Sequence, residues 1–337
     1  MRMLRYILRR LLFLVPVVLG SIFIAFLLTR VVPGNPIERV AGPYASEERV
    51  LEMKAEPNLD KPIPQQFLIY VNDLLHGDMG MSYTTAQPVG KDLKERFPAS
   101  FELVMFAIGL AIVLAIPLGV VSAVKRGSWI DHVARVIAVA GVSAPIFWIA
   151  MVLLSIFYGK LGWLPGSQGR LPIIMSPPPH VTGMYTIDAL LAGDPVTFKE
   201  ALRALILPVL TLALVSMAPI ARMTRATMID ALDSDYVRTA TSLGIPRRTV
   251  VMKHAFKNAI IPVLTLIAGV IGYAIGGEVL IELIFSWPGL GLYSYNAIMS
   301  ADFPAVQGFI ILATCLYILI YLIVDVITAL LDPRVEY

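Results

Sequence analysis

Apolar stretches recur along the chain at lengths that match a bilayer. A hydrocarbon core about 30 Å thick is crossed by about 20 residues of helix. Six stretches approach that measure: 11–30, 101–124, 134–159, 204–221, 259–285 and 305–331. The first follows Arg2, Arg5, Arg9 and Arg10, as the apolar region of a signal peptide would. Residues 11–29 carry no charge, which exceeds the usual apolar length of about 7–15 residues, and no small-x-small cleavage site follows. The stretch therefore reads as a retained first helix. The pattern predicts an all-α membrane protein of six transmembrane helices, with a tail at 1–10, a long segment at 31–100, and a core over 101–337. Within that core, connections fall at 160–203 and 222–258. The 31–100 segment has turn chemistry at Pro33-Gly34-Asn35-Pro36 and amphipathic stretches near 45–55 and 65–75. No repeat with a period of 20–50 residues is present, which excludes a solenoid.

Composition agrees with that reading. The 337 residues are 57% hydrophobic and 15% charged, where a soluble domain has about 45–50% and about 25%. An ordinary soluble enzyme, a disordered chain and a disulfide scaffold are excluded. Cys315 is the single cysteine, and His76, His132, His180 and His254 lie too far apart in sequence for a metal-site spacing. The net charge of +3 does not point to nucleic acid. Its distribution is more informative, because Lys and Arg flanking short loops stay in the cytoplasm. The tail has four arginines, and the connection between the second and third spans holds Lys125, Arg126 and Arg135. The 222–258 connection has seven basic residues and the segment 286–304 has none. Both termini are therefore expected in the cytoplasm, with 31–100 and 160–203 on the outer side.

Motifs of membrane enzymes are missing from the chain: there is no Gly-x-Ser-Gly, no Gly-x-Gly-Asp and no His-Glu-x-x-His. A phosphate loop is missing too, since Gly90-Lys91 is followed by Asp92. No catalytic or metal-binding residues are assigned, and any ATP-driven step must use another subunit. The most informative stretch runs from Asp233 to Pro246. Ser234 suits an N-cap, Asp235 suits the positive end of a helix dipole, and Gly244 followed by Pro246 suits a helix end. A short helix is predicted over 235–244, with Tyr236, Ala240 and Leu243 on one face and the small Thr239 and Ala240 admitting close approach of another surface.

The stretch Tyr236-Val-Arg-Thr-Ala-Thr-Ser-Leu-Gly244 resembles the cytoplasmic coupling motif of ABC-importer permeases, in the form found in dipeptide and oligopeptide permeases, where Arg-Thr-Ala replaces Glu-Ala-Ala. Other pieces match that family in order: Arg9-Arg10-Leu11, Val32-Pro33-Gly34-Asn35-Pro36, Leu59-Asp60-Lys61-Pro62, Gly77-Asp78-Met79-Gly80-Met81-Ser82, Leu161-Gly162-Trp163-Leu164-Pro165 and Phe285-Ser286-Trp287-Pro288-Gly289-Leu290-Gly291. The chain departs from the general motif at Phe256-Lys257, where Leu-Pro is usual, with a proline only at Pro262.

The resemblance implies the type I ABC-importer permease fold in a prokaryotic inner membrane. It implies a second homologous permease, one or two ATPase subunits that bind ATP and magnesium, an extracytoplasmic substrate-binding protein, and a peptide substrate. Asp235, Tyr236, Arg238, Thr239, Ala240, Leu243 and Gly244 would form the ATPase-coupling helix. Glu278 and Glu282, at i and i+4 in the fifth span, are candidates for the pore, since a carboxylate at membrane depth costs at least about 2.5–3.5 kcal/mol. A structural place near the outer interface is the alternative for both. Trp287, Pro288 and Gly289 would lie at the outer mouth, in a turn with Gly289 at positive φ. Gly269, Gly272, Gly276 and Gly277 suggest a close helix seam, within the chain or towards a partner. Similar permeases serve nickel chelates, glutathione, haem or oligosaccharides, and a proton-coupled carrier using the two glutamates is the reading from another class.

Overall fold

The computed structural model describes residues 2–31, 62–277 and 279–331. The turn at 33–36, the amphipathic stretch at 45–55, Leu59-Asp60-Lys61 and Glu278 lie outside the described residues. Among the described residues the chain is helical, apart from loops and one isolated bridge between Met81 and Pro88.

Two long helices form the centre. Helix α3 (Val89–Val124) and helix α7 (Pro195–Leu232) lie against each other along their length. The buried side of α3 carries Ala107, Ala111, Ala115, Gly119 and Ala123, one every four residues and all turned inward. Residues four apart share a helix face, and small ones let two backbones approach closely. At Gly119 the approach is so close that a Cβ would lie 2.6 Å from Cβ of Thr224 and 2.8 Å from the carbonyl oxygen of Ala221. The opposite side of α3 exposes Met105, Phe106, Val113 and Leu114. Large apolar residues outside and small ones inside are what a helix surrounded by lipid requires.

Helix α1 (Arg2–Val31) packs on the last helix and on α2 (Ile63–Leu75). Phe26 meets Phe67 and Tyr70 at ring-centroid distances of 5.5 and 5.8 Å, so the amphipathic stretch near 65–75 is a helix with a defined seat. Helix α4 (Trp129–Ser143) and helix α5 (Ile146–Leu153) follow α3. The expected third span, 134–159, is divided between them and continues as a π-helical turn over Leu154–Lys160. Pro145 caps α5 and has no N–H to donate, which ends α4.

Helix α6 (Tyr185–Leu191) leads into α7, which begins nine residues before the expected span at 204. Asp194 explains the early start: its carboxylate accepts from the Val196 and Thr197 amides at 3.0 and 3.1 Å and from the Thr197 hydroxyl at 2.5 Å. Helix α8 (Asp235–Ser242) comes next, then α9 (Arg247–Thr249), a π-turn over Val250–Ala255, and α10 (Phe256–Gly277). The expected fifth span therefore starts earlier, as one apolar rod, and on the far side of the undescribed residue 278 the chain is helical over Val279–Ile284, labelled α11. Helix α12 (Leu290–Met299) and helix α13 (Phe303–Leu331) complete the chain.

Among the described residues four helices are long and apolar enough to cross a membrane: Val89–Val124, Pro195–Leu232, Arg247–Ile275 and Phe303–Leu330. Leu14–Leu27 and Ile146–Lys160 are shorter apolar helices. The fold is that of an all-α membrane protein.

Candidate functional site

Helix α8 follows α7 after only Asp233 and Ser234. The Ser234 hydroxyl donates back to the Ala231 carbonyl at 2.5 Å, so Ser234 closes α7 rather than capping α8 with its side chain. The C-terminus is as the glycine signals. Gly244 has φ +72°, its N–H donates to Thr241 O at 3.0 Å, and Ile245 N–H donates to Ala240 O at 3.3 Å. These two bonds satisfy carbonyls that the helix end would leave orphaned. Ile245 then packs beside Val237 and Ala240 on an apolar cluster with Ala123, Met228, Val250 and Ala255.

That cluster corrects the expected face. Ala240 is buried within the chain's own core, together with Val237, whereas Tyr236 and Leu243 are 43% and 75% exposed. On a helix of 3.6 residues per turn the inner pair is 237 and 240, three apart, and the outward residues are Asp235, Tyr236, Arg238, Thr239 and Leu243. Ala240 thus seats the helix and does not admit a partner. Asp235 and Arg238 pair at 3.6 Å in open solvent, worth little in stability.

Asp131, at the start of α4, is 1% exposed and is held by Arg225 of α7. Arg225 donates from Nε and Nη2 to the two carboxylate oxygens at 2.7 and 2.9 Å. The Ser122 hydroxyl donates at 2.6 Å and the Gly127 amide at 3.0 Å. The Arg225 hydrogen bonds, more than offsetting burial, hold the Asp131 carboxyl well below the usual carboxylate range. The pair locks the α3–α4 turn to the stretch of α7 that leads into α8.

At the other end of α3, the expected outer-mouth residues form a closed arrangement. Glu282 is 3% exposed. Its carboxylate accepts from the Ser100 hydroxyl at 2.5 Å and the Leu292 amide at 2.8 Å. The same Ser100 oxygen accepts from the Leu290 amide at 2.7 Å. Trp287 is fully buried and donates Nε1–H to Ala99 O at 2.8 Å, and Pro288 is exposed beside it. Glu282 therefore spends its oxygens on this turn inside the chain. The expected glycine geometry is also corrected: Gly289 has φ −101°, and the left-handed residue of the turn is Ser286, at φ 53°. Glycine is needed at 289 for space, since a Cβ there would land on the Glu282 carboxylate and the Ser100 hydroxyl. Of the glycine seam, Gly272 faces the Tyr317 ring and Gly269 the Tyr321 hydroxyl, so both pack on α13 within the chain.

A second buried pair ties the 160–203 connection to α3. Arg170 donates to Glu102 Oε2 at 2.7 Å and to Gly183 O at 2.8 Å, and its guanidinium lies 3.5 Å from the Tyr185 ring centroid. Glu102 also accepts from the Thr186 amide and hydroxyl at 2.8 and 2.6 Å. Among the described residues no group of three or more His, Cys, Asp or Glu side chains could hold a metal ion. The ion pairs join residues 68 and 94 positions apart, which no local pattern announces. The ladder of five small residues on α3, at four-residue spacing, is the one feature of this core that spacing alone could have found.

The chain matches the family described as "binding-protein-dependent transport system inner membrane component" over residues 115–337, and the N-terminal model of the same membrane component over residues 3–104. It is 43% identical to the probable D,D-dipeptide transport system permease protein DdpB of Escherichia coli, over 96% of this chain and 94% of that one. It is 40% identical to the dipeptide transport system permease protein DppB of Alkalihalophilus pseudofirmus, over 99% and 100%. The di/tripeptide permease protein DppB of Pseudomonas aeruginosa is 42% identical, over 99% of both chains. The chain belongs to the binding-protein-dependent transport system inner membrane component family. It is a multi-pass inner-membrane transport permease component.

Proposed function

We propose that this permease serves an ATP-binding-cassette importer of di- and oligopeptides. A second homologous permease would complete the pathway, and an extracytoplasmic binding protein would deliver the peptide. One or two separate ATPase subunits would bind ATP and magnesium and drive the cycle, with no cofactor held by this chain. Six spans with both termini in the cytoplasm fit the charge pattern. The near full-length likeness to permeases named for dipeptides carries the substrate assignment.

Coupling is assigned to the outward face of α8, made by Asp235, Tyr236, Arg238, Thr239 and Leu243, with Ala240 and Gly244 holding that face in place. Its support is an exposed apolar residue, Leu243, on a helix whose end is fixed by hydrogen bonds and whose other side is anchored in the core. Motion imposed on this helix would pass into α7 and, through Arg225 and Asp131, into α4. For the outer mouth, we assign the rim to Trp287, Pro288 and Gly289, with Glu282 as its internal support and Glu278 as the remaining carboxylate for the pathway.

The test is purification of the tagged chain with its companions and uptake of labelled alanyl-alanine by the reconstituted complex. Recovery of a second permease and ATPases, with the ATPases lost in Leu243→Asp, is the expected result. A lone homo-oligomer without ATPase would sink the reading. Uptake that is competed by a metal chelate, glutathione, haem or an oligosaccharide but not by dipeptides would reassign the ligand.

A further inference from the structure

The connection between α3 and α4 is four residues long, Lys125 to Ser128. Around it stand cations that the chain hardly uses for its own fold. Lys125 is exposed and forms no ion pair among the described residues. Arg126 meets Asp233 at 3.4 Å with both side chains open to solvent, which contributes little. Arg135 is half-exposed, its Nη2 donating to Nδ1 of His132 at 2.7 Å. Arg247, at the start of α9, reaches the Val124 carbonyl at 3.5 Å and adds a fourth cation beside the turn.

An apolar face lies among these cations. Trp129, Val133 and Val136 recur at i, i+4 and i+7 on one side of α4, and all three are exposed, the indole by 73%. That face runs directly into the apolar span expected from residue 134. Trp129 precedes that residue by about 7 Å of helix, and the headgroup layer of a bilayer is about 5–7 Å thick on each side. An indole at that level covers its apolar body and still satisfies its N–H. The other side of the same helix holds Asp131, bonded to Ser122 of α3 and to Arg225 of α7, with Arg135 Nε at 3.9 Å. Helix α7 ends at Leu232, seven residues beyond Arg225, and α8 follows.

We infer that the α3–α4 turn is a binding site for an anionic phospholipid of the inner leaflet, and that the bound lipid steadies α7 behind the coupling helix. The inference rests on the importer reading above and on the topology that puts this turn in the cytoplasm. Lys125, Arg126 and Arg135 hold the phosphate, with Arg247 beside them. Trp129 sits at the glycerol level, and Val133 and Val136 continue into the acyl chains. A zwitterionic headgroup would leave the cations without a counter-charge, whereas a cluster of about four basic residues at the end of a span suits anionic lipid. An ATPase subunit is the poorer occupant, because the face of Trp129, Val133 and Val136 leads into hydrocarbon, where a subunit in water does not reach. Since Asp131 ties the turn to Arg225, lipid held at the turn restrains α7 just ahead of α8.

The complete permease–ATPase complex is placed in nanodiscs of phosphatidylcholine alone and of phosphatidylcholine mixed equally with phosphatidylglycerol. Retained lipid is counted by native mass spectrometry, and ATP hydrolysis stimulated by the binding protein loaded with alanyl-alanine is measured in both. The native complex should retain phosphatidylglycerol and be stimulated about fivefold more in the mixed discs. Lys125→Gln with Arg126→Gln should weaken phosphatidylglycerol binding about tenfold or more and abolish the difference between the discs. Lys125→Arg with Arg126→Lys should preserve both. Asp131→Asn should keep the lipid and lose the extra stimulation; full stimulation there overturns the link to α7. Native lipid retention and stimulation in the glutamine variant overturn the site. Equal stimulation of the native complex in phosphatidylcholine by soluble glycerol phosphate overturns it in favour of a free phosphate. Loss of the ATPases or the second permease from the glutamine variant overturns it in favour of a subunit contact. A fluorescent label at position 129 that brominated phosphatidylglycerol fails to quench overturns it as well. A native chain that brings no ATPase with it would refute the importer reading, and the lipid count and the quenching at 129 would then decide the site alone.

Discussion

Two residues show how much of this permease is fixed by single polar atoms. Asp131 has four donor contacts and a folded-state proton affinity held down by Arg225. A carboxyl depressed on folding contributes stability above its unfolded pKa, about 3.9, and loses it as pH falls through the folded value. Thermal stability of the purified complex should therefore be flat in this respect above about pH 5, and the Asp131 contribution should disappear progressively below about pH 4. Asp131→Asn should lower stability by about 2–3 kcal/mol at pH 7 and remove that part of the acid dependence. A variant as stable as the native chain, with the same acid profile, would show that the pair is idle. Gly289 gives a second test. Gly289→Ala must displace either Glu282 or Ser100, both buried, so reduced thermal stability and impaired uptake are expected together. A conservative Ser286→Gly change, which relieves a left-handed serine, should leave uptake intact.

At the scale of elements, α8 and α3 illustrate opposite uses of small residues. In α8, Gly244 supplies a left-handed end and Ala240 a tight seat, while Leu243 stays outside. Gly244→Ala should loosen the helix end at a cost of about 1 kcal/mol. It should weaken ATPase association less than Leu243→Asp does, measured by the ATPase retained per permease on purification. Ala240→Leu is expected to unseat the whole helix by overfilling its own core, so its effect should include a fall in thermal stability that Leu243→Asp does not share. In α3 the five small residues from Ala107 to Ala123 let α7 approach along about four and a half turns. Ala111→Leu should cost about 1–3 kcal/mol, read as a lowered unfolding temperature in nanodiscs. The same exchange at Val113, on the exposed side, should be close to neutral.

At the scale of the molecule, apolar residues lie outside as well as inside, and polar groups gather at the two ends. One end holds α8, Asp131 and Arg225; the other holds Glu102, Arg170, Glu282 and the Trp287 turn. In the proposed topology, argued from the charge pattern, the first end faces the cytoplasm. Single cysteines at 243 and 174, in a chain with Cys315→Ser, should react with an impermeant maleimide from opposite faces of oriented membranes. Labelling of both from the same face would overturn the six-span topology.

The sequence by itself determined the class of protein and the identity of its informative segments. Hydropathy along the chain is a local property, so the apolar spans and the basic connections could be read without a fold. The helix over 235–242, with its glycine end, was legible because capping depends on neighbouring residues. What sequence did not reveal is which side of an element faces its own chain. Ala240 and Leu243 lie three residues apart in one short helix, and only the packing of α3, α7 and the π-turn against it decides that the alanine is buried and the leucine is not. Glu282 likewise reads as a free carboxylate in an apolar span until Ser100 and the Leu292 amide are brought to it. Small side chains, glycine space and long-range ion pairs acquire their roles from what approaches them, and that is a property of the tertiary structure alone.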